Sequence, residues 1–437
     1  MNKPTSISYI VDPKYALVKT KHYTIDNLVT YKVMNYEYDK TTDENAIYRS
    51  VVLTVPVWGE QAEEWGEHSE GTCRLLAFSP PNSVDFAIFR NKYPEITADM
   101  FVNEVIEGTM INLFFDDRVG QWQIATRSSV GGNYWYYRNQ YPGDIYTMYQ
   151  PTFREMFLEA VKFTTIHEFG ESMHFSRNRS YCFVVQHPAN HIVQNHVVPS
   201  IYLVAVYEIC GLTATHVPLS EYIQTVSFPI KIPEFIPIFD STNANANQLP
   251  MSYTTLMEKL LYGQNLYTNN KSMGYMILNT TTGERTMMAN PEYEELKELR
   301  GNHPNLQYQY LVLKKSGKVM RFLNEFPQYR NLFFRFYQQY SAFVTKVHNA
   351  YVSYYVKKSG EKIPKSIFMH VYKIHHGIFL RSKVNDPIDN ENEDLVTETP
   401  NKMIVKRKVV DDYMTNLEPG SLLYYLTNTN MADEPVV

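Results

Sequence analysis

Between Ser50 and about Asn290 the hydrophobic positions fall in short runs separated by turn residues. SVVLTVPVW (50–58), TCRLLAF (72–78), TMINLFF (109–115), WQIAT (122–126), YCFVVQ (181–186), IYLVAVYEI (201–209) and YMIL (275–278) are rich in β-branched and aromatic residues and predict strands. A helical period interrupts them over 84–93 (VDFAIFRNKY), 152–163 (TFREMFLEAVKF, just after Pro151) and 253–263 (YTTLMEKLLYG, closed by Gly263). Strands with interspersed helices and no steady βαβ rhythm imply a mixed, mainly antiparallel α+β domain.

The pattern changes after PEYEELKELRGN (291–302), itself helical. The stretch 322–358 predicts a long helix interrupted near Pro327, 365–383 predicts another, and 406–417 (KRKVVDDYMTNL) one more. The expected organisation is therefore an α+β domain over 1–300 followed by an all-α domain over 301–437. The acidic run 385–400 (NDPIDNENEDLVTETP) is expected to be a loop in the second domain.

Charge separates the two parts further. From Asn305 to Val384 there are fourteen Lys and Arg against Glu325 and Glu361, a local surplus of +12 that leaves −17 to the rest of a chain whose total is −5. A one-signed surface of this kind suits a polyanion, and it singles out Lys314, Lys315, Lys318 and Arg321 on one side and Lys357, Lys358, Lys362 and Lys365 on the other as candidate nucleic-acid contacts. The chain's 35 Tyr and 23 Phe serve cores, interfaces and base stacking alike. Among them Tyr337, Tyr340, Tyr351 and Tyr354 are placed to stack on unpaired bases. The N-terminus has no apolar run behind its basic residue, and no segment approaches the roughly 20 apolar residues of a membrane span. The expectation is a cytoplasmic protein without a membrane partner. Cys73, Cys182 and Cys210 are too few and too scattered for a disulfide framework, and are expected to be reduced and mostly buried.

Several catalytic signatures are missing. IHEFGESMH (166–174) is not HExxH, and Pro188 and Asn190 in HPANHIVQNH (187–196) keep its histidines off one helix face, so turn and surface histidines are expected there and no metal site. No GxSxG, GxGxxG or GxxxxGK[ST] occurs.

What remains is an ordered series: Tyr48-Arg49-Ser50-Val51-Val52, Cys73 to Pro81 (CRLLAFSPP), Val105-Ile106-Glu107-Gly108-Thr109, Ala125-Thr126-Arg127-Ser128, Phe183 to Val193 (FVVQHPANHIV), Met273-Gly274-Tyr275-Met276 and Arg285-Thr286-Met287-Met288-Ala289. In order and spacing this series resembles the phage-type RNA ligases, covalent nucleotidyltransferases related to DNA ligases and mRNA capping enzymes, with relatives in large DNA viruses. The resemblance covers about residues 45–300 and implies a nucleotidyltransferase fold. In that family a lysine attacks the α-phosphate of ATP or GTP, a strand carboxylate holds the ribose, a glutamate helps bind the metal and two lysines grip the phosphates. The matching positions here are Val105 for the nucleophile, Val184 for the ribose carboxylate, Met273 for the glutamate, and Met287 and Ala289 for the lysines. Glu107, Gly108, Arg127 and Asn190 keep the family's residue types and are the candidates for contact with a nucleotide. The resemblance thus implies a ligase-like protein without a catalytic residue, a pseudoenzyme needing no cofactor, that binds RNA, single-stranded DNA or an acidic partner. Two alternatives stay open: an active divergent RNA ligase using ATP and Mg, and a viral structural or assembly protein with protein partners, found in the host cytoplasm or the virion.

Overall fold

The computed structural model describes residues 7–25, 29–55, 73–135, 151–190, 192–222, 229–239, 250–262, 272–384 and 404–428. The chain forms two compact units, Met1–Glu298 and Leu299–Val437. The first is α+β with antiparallel sheets and the second is all-α.

The first unit holds fourteen strands among the described residues: β1 (Ser8–Ile10), β2 (Lys19–Ile25), β3 (Val29–Asn35), β4 (Val51–Thr54), β5 (Leu75–Phe78), β6 (Met100–Glu104), β7 (Thr109–Asp116), β8 (Gln121–Ala125), β9 (Arg179–Gln186), β10 (Ser200–Cys210), β11 (Thr213–Val217), β12 (Ile230–Lys231), β13 (Gly274–Asn279) and β14 (Arg285–Ala289). Its helices are α1 (Phe86–Lys92), α2 (Phe153–Val161), α3 (Ile166–Ser172) and α4 (Tyr253–Tyr262), and α5 (Pro291–Arg300) begins at its end. The largest sheet runs β1-β11-β10-β9-β7-β8, with β12 added in parallel to β10. Strand alternation gives it two buried faces. Ile111, Leu113, Phe115, Tyr181, Phe183 and Val185 point to α2 and α3, where they pack with Phe153, Phe157, Ile166 and Phe169. On the other face Cys182, Ala205 and Tyr207 meet Met34, Val51, Leu53 and Phe78, and Phe114 and Ala125 meet Val52 and Ala77 of the four-stranded sheet β2-β3-β4-β5.

Helix ends follow local chemistry. Thr152 and Glu155 form a capping box at α2, with Thr152 Oγ1 accepting from Glu155 N and Glu155 Oε2 accepting from Thr152 N. α3 occupies the stretch expected to be a turn: Thr165 caps it, and Gly170 is demanded because a Cβ there would lie 2.3 Å from the Trp122 ring. The third sheet, β14-β13-β6, packs Val102, Ile277 and Met288 against Phe89 of α1 and Leu256 and Leu260 of α4.

The second unit consists of α6 (Leu306–Lys315), α7 (Val319–Glu325), α8 (Arg330–Tyr351), α9 (Lys365–Ile374), α10 (Leu380–Val384), α11 (Arg407–Thr415) and α12 (Pro419–Asn428). The break expected near Pro327 falls between α7 and α8, where Phe326 (φ −122°, ψ 65°) leaves the helical backbone ahead of the proline. α8 buries Phe333, Phe336, Tyr340, Phe343, Val344, Val347 and Tyr351, spaced by three and four along one stripe. π-helical turns follow α8 at Val352–Lys357 and α9 at His375–Phe379. The run 385–400 lies outside the described residues. No helix of the described residues is long and apolar enough to cross a membrane.

Candidate functional site

The turn after β6 is fixed on every side. Val105 N donates to Gly274 O at 2.9 Å. Gly108 has φ +152° and a Cβ there would stand 2.4 Å from Val185 O; Gly274 has φ +149° and a Cβ there would stand 2.3 Å from Met288 O. These two glycines therefore allow backbone to lie directly on backbone, which a side chain would prevent. Between them Glu107 is 2% exposed, and its carboxylate accepts from Ile192 N (2.7 Å), Val193 N (3.1 Å), Gln194 N (3.1 Å) and the Tyr293 hydroxyl (2.6 Å). A carboxylate satisfied by four donors of its own chain ties the turn to the 192–194 loop and to α5.

The positions matched to the nucleotidyltransferase motifs gather here. Gly274 pairs with Ala289 across the β13–β14 hairpin, Met276 pairs with Met287, and Asn290 N donates to Met273 O at 3.1 Å. Val184 on β9 lies between Met110 and Tyr202 and is the side chain that a Cβ on Gly108 would strike at 2.7 Å. Val105, Met273, Met287 and Ala289 are half-buried and Val184 is buried. None of the five side chains offers a nucleophile, a charge or a metal ligand. Lys92 is held by Glu284 at 2.7 Å. Asn190 donates through Nδ2 to Thr109 Oγ1 at 2.7 Å, and Arg127 donates to Tyr36 O at 2.6 Å with its guanidinium 5.1 Å over the Tyr36 ring. Of the four candidates for nucleotide contact, Glu107, Gly108 and Asn190 meet at the turn, and Arg127 is engaged with Tyr36. Glu107 is occupied by donors of its own chain, and the side chains at the five matched positions present only methyl and thioether groups.

Sequence reasoning missed a cation pair in the interior of the first unit. Arg285, at the start of β14, has a buried Nε without a hydrogen-bond partner. Burial and, after it, the nearby Arg49 charge push its pKa down to about 10, while Tyr207, Tyr9 and Tyr36 oppose that fall. Among the described residues no carboxylate lies within ion-pair distance of either arginine. Arg49 stands in the first quoted motif, but nothing local in the sequence shows that Arg285 faces it.

Two histidine expectations are corrected. His187 and His196 are 2% and 8% exposed, not on the surface. The Nε2 of His187 lies 3.1 Å from Oε2 of the exposed Glu159, and the ring's Nδ1 accepts from Ala189 N at 3.0 Å. His191 lies outside the described residues. Among the described residues no group of three His, Cys, Asp or Glu is arranged to hold a metal. Of the cysteines, Cys182 is buried, Cys73 is intermediate and Cys210 is exposed at the end of β10.

In the second unit the eight candidate cations divide. Lys314 Nζ lies 3.6 Å from Asp411 and 4.4 Å over the Tyr340 ring, and Lys315 lies 3.6 Å from Glu418. Lys318 and Arg321 are exposed around the start of α7. Lys357, Lys358, Lys362 and Lys365 are all exposed, with no carboxylate of the described residues in ion-pair distance. The candidate stacking rings divide too. Tyr340 and Tyr351 are 1% and 2% exposed because their spacing along α8 turns them to the core, where Tyr340 donates to Asp411 Oδ1 at 2.7 Å. Tyr337 and Tyr354 are 49% and 45% exposed.

No protein-family model matches the chain, and no curated protein matches it in sequence. Among solved structures it is similar to an archaeal ATP-dependent RNA ligase, with 9% identity and a TM-score of 0.38 over 69% of this chain and 64% of that one. It is also similar to a Naegleria gruberi RNA ligase determined with ATP and Mn, with 10% identity and a TM-score of 0.35 over 64% and 97%. A protein of Aquifex aeolicus assigned as an ATP-dependent DNA ligase gives 10% identity and a TM-score of 0.38 over 84% and 85%. The chain spans less than two thirds of the archaeal ligase. These are likenesses of fold, and no activity passes from them to this chain.

Proposed function

We propose that this chain is a ligase-like nucleotidyltransferase-fold protein that does not transfer nucleotides covalently and that binds nucleic acid through its helical unit. The observation that carries the first half is the Glu107 turn: the one acid at the motif is fully engaged by its own chain, and the positions around it are Val105, Met273, Met287 and Ala289. Covalent transfer needs a deprotonated amine, opposing charge on the phosphates and an ion, and these side chains supply none of the three. The purified chain incubated with labelled ATP or GTP and Mg or Mn is expected to form no acid-stable protein–nucleotide adduct. A stoichiometric lysyl adduct overturns the reading. Val105→Lys alone is expected to form none either, since Met273, Met287 and Ala289 still lack charge.

The second half is supported by Lys357, Lys358, Lys362 and Lys365, all exposed and with no carboxylate of the described residues within ion-pair distance. Four phosphate contacts to a single strand predict a log–log salt slope near −3, about a 50-fold loss of affinity from about 50 to 200 mM salt. Fluorescence anisotropy with single-stranded RNA measures this directly. Absence of binding at the lowest salt leaves protein assembly as the better account.

One observation favours a second reading for the first unit. The Arg49–Arg285 pair has no counter-charge among the described residues, an arrangement that suits a bound anion such as a phosphate. That reading predicts a rise in thermal stability on adding ATP or pyrophosphate, lost in Arg285→Met; no rise at millimolar ligand rejects it.

A further inference from the structure

α8 does not end as an α-helix. Over Val352–Lys357 it widens into a π turn, a form that concentrates at functional sites. The wider turn sends neighbouring tyrosines apart. Tyr355 stacks on His375, ring centroids 3.7 Å apart and 7° from parallel, whereas Tyr354 stands edge-on to it at 4.9 Å and 80° and is 45% exposed. The turn stops at Lys358, whose φ of +53° is uncommon for a residue with a side chain and persists only where the surroundings hold it. Ser353 supplies that hold: its carbonyl accepts from Lys358 N and Ser359 N, and its hydroxyl meets Ser359 Oγ at 2.6 Å and donates to Glu361 Oε2 at 2.5 Å.

The result is a cleft of about 390 Å³, within the range of small-ligand sites. Tyr354 and Phe368 line it, Phe368 being 38% exposed, with Ile363 also in the lining and Lys358, Lys362 and Glu361 around them. Exposed rings singly need no explanation, but two in one cleft beside unpaired cations do. An acidic peptide answers the lysines and leaves the rings bare; a nucleotide unit of a single strand answers both, with its base on the rings and its phosphates on the ammonium groups.

We propose that Tyr354 and Phe368 clamp one unpaired base of single-stranded RNA while Lys358 and Lys362 hold the flanking phosphates. This rests on the nucleic-acid reading of the second unit and gives it a place and a mode. Glu361, already fixed by Ser353, presents a carboxylate that can accept from a base's N–H donors.

The full-length chain is titrated into a fluorescent single-stranded RNA, and into the same RNA carrying 2-aminopurine. Tyr354→Ala and Phe368→Ala are expected to weaken binding about 5- to 100-fold each without changing the salt slope. Tyr354→Phe restores binding, and the 2-aminopurine quenching seen with the unaltered chain is lost in Tyr354→Ala. Lys358→Ala with Lys362→Ala lowers the salt slope by about one to two instead. Tyr424→Ala, an exposed ring on α12 that does not line the cleft, is the control and changes little, and thermal melting shows that each variant folds. Unchanged affinity and quenching in Tyr354→Ala and Phe368→Ala overturn the stacking clamp while leaving electrostatic binding by the second unit intact. A duplex RNA that binds as tightly as the single strand and is equally weakened by Tyr354→Ala also overturns it. No binding of any RNA by the unaltered chain overturns the nucleic-acid reading itself.

Discussion

At the turn after β6, Glu107 accepts from four donors and is shut away from solvent; at the turn after α8, Lys358 is held in an uncommon backbone conformation and left in solvent with no acid of the described residues within ion-pair distance. The first is held by a side chain that accepts from backbone amides, the second by backbone amides that donate to the Ser353 carbonyl. The first uses its charge to close a site and the second uses backbone bonds to present a charge. A charged residue at a tight turn is therefore informative only once its partners are known. The same contrast runs inside the second unit, where Lys314 and Lys315 have acids opposite and Lys357 and Lys358 do not.

The strongest way to break the comparison is Glu107→Ala. It leaves three backbone amides and the Tyr293 hydroxyl buried without an acceptor, and the expected loss is about 3–5 kcal/mol of stability in urea unfolding. Less than about 1 kcal/mol means that the turn is not held by this carboxylate.

The next test asks where the two units behave alike. His216 in the first and His370 in the second each have the pKa pushed down to about 4, mainly by burial, with Arg285 acting on His216 and Lys373 on His370 in the same direction. Each is neutral when folded and takes up a proton near pH 6.5 when unfolded. Their contribution is complete above about pH 6.5 and is lost as pH falls toward 4, at no more than about 1.4 kcal/mol per pH unit for each imidazole. Unfolding midpoints at pH 7 and pH 5 measure it. His216→Gln and His370→Gln are each expected to flatten the loss, and an unchanged slope in either contradicts the burial argument for that histidine.

The smallest effect sharpens the comparison most. Lys357→Ala with Lys358→Ala is expected to reduce the salt slope of RNA binding by about 1.4, against less than about 0.7 for Lys314→Ala with Lys315→Ala. Equal reductions mean that the acids facing Lys314 and Lys315 do not neutralise them.

The strands legible in the sequence are those buried on both faces, such as β7, β9 and β10, because double burial writes an unbroken apolar run. β2, whose KTKHYTI leaves most of its side chains in solvent at a sheet edge, carries no such run, and β6 and β14 are five residues each. The position of the Glu107 turn was legible from Glu-Gly between apolar runs; its closure was not, because residues 192–194 and Tyr293 are remote in the chain. The surplus over 305–384 counted Lys314 and Lys315 as available since Asp411 and Glu418 fall outside that window. Tyr340 and Tyr351 carry the core spacing of α8 in plain view, and the aromatic count obscured it.

The reach of the Glu107 contacts sets a timetable for synthesis. Its hydroxyl donor Tyr293 is 186 residues downstream, and Tyr9 reaches Gly283 across 274 residues. On a ribosome adding about 5–20 residues per second, the carboxylate waits roughly 10–40 s for that partner. For most of that interval β6 lacks β13, which supplies its ladder, and nascent apolar strands are open to chaperones and to wrong pairings. In the second unit Tyr340 meets Asp411 only 71 residues on, so the helical unit completes its contacts within a much shorter length of emerging chain.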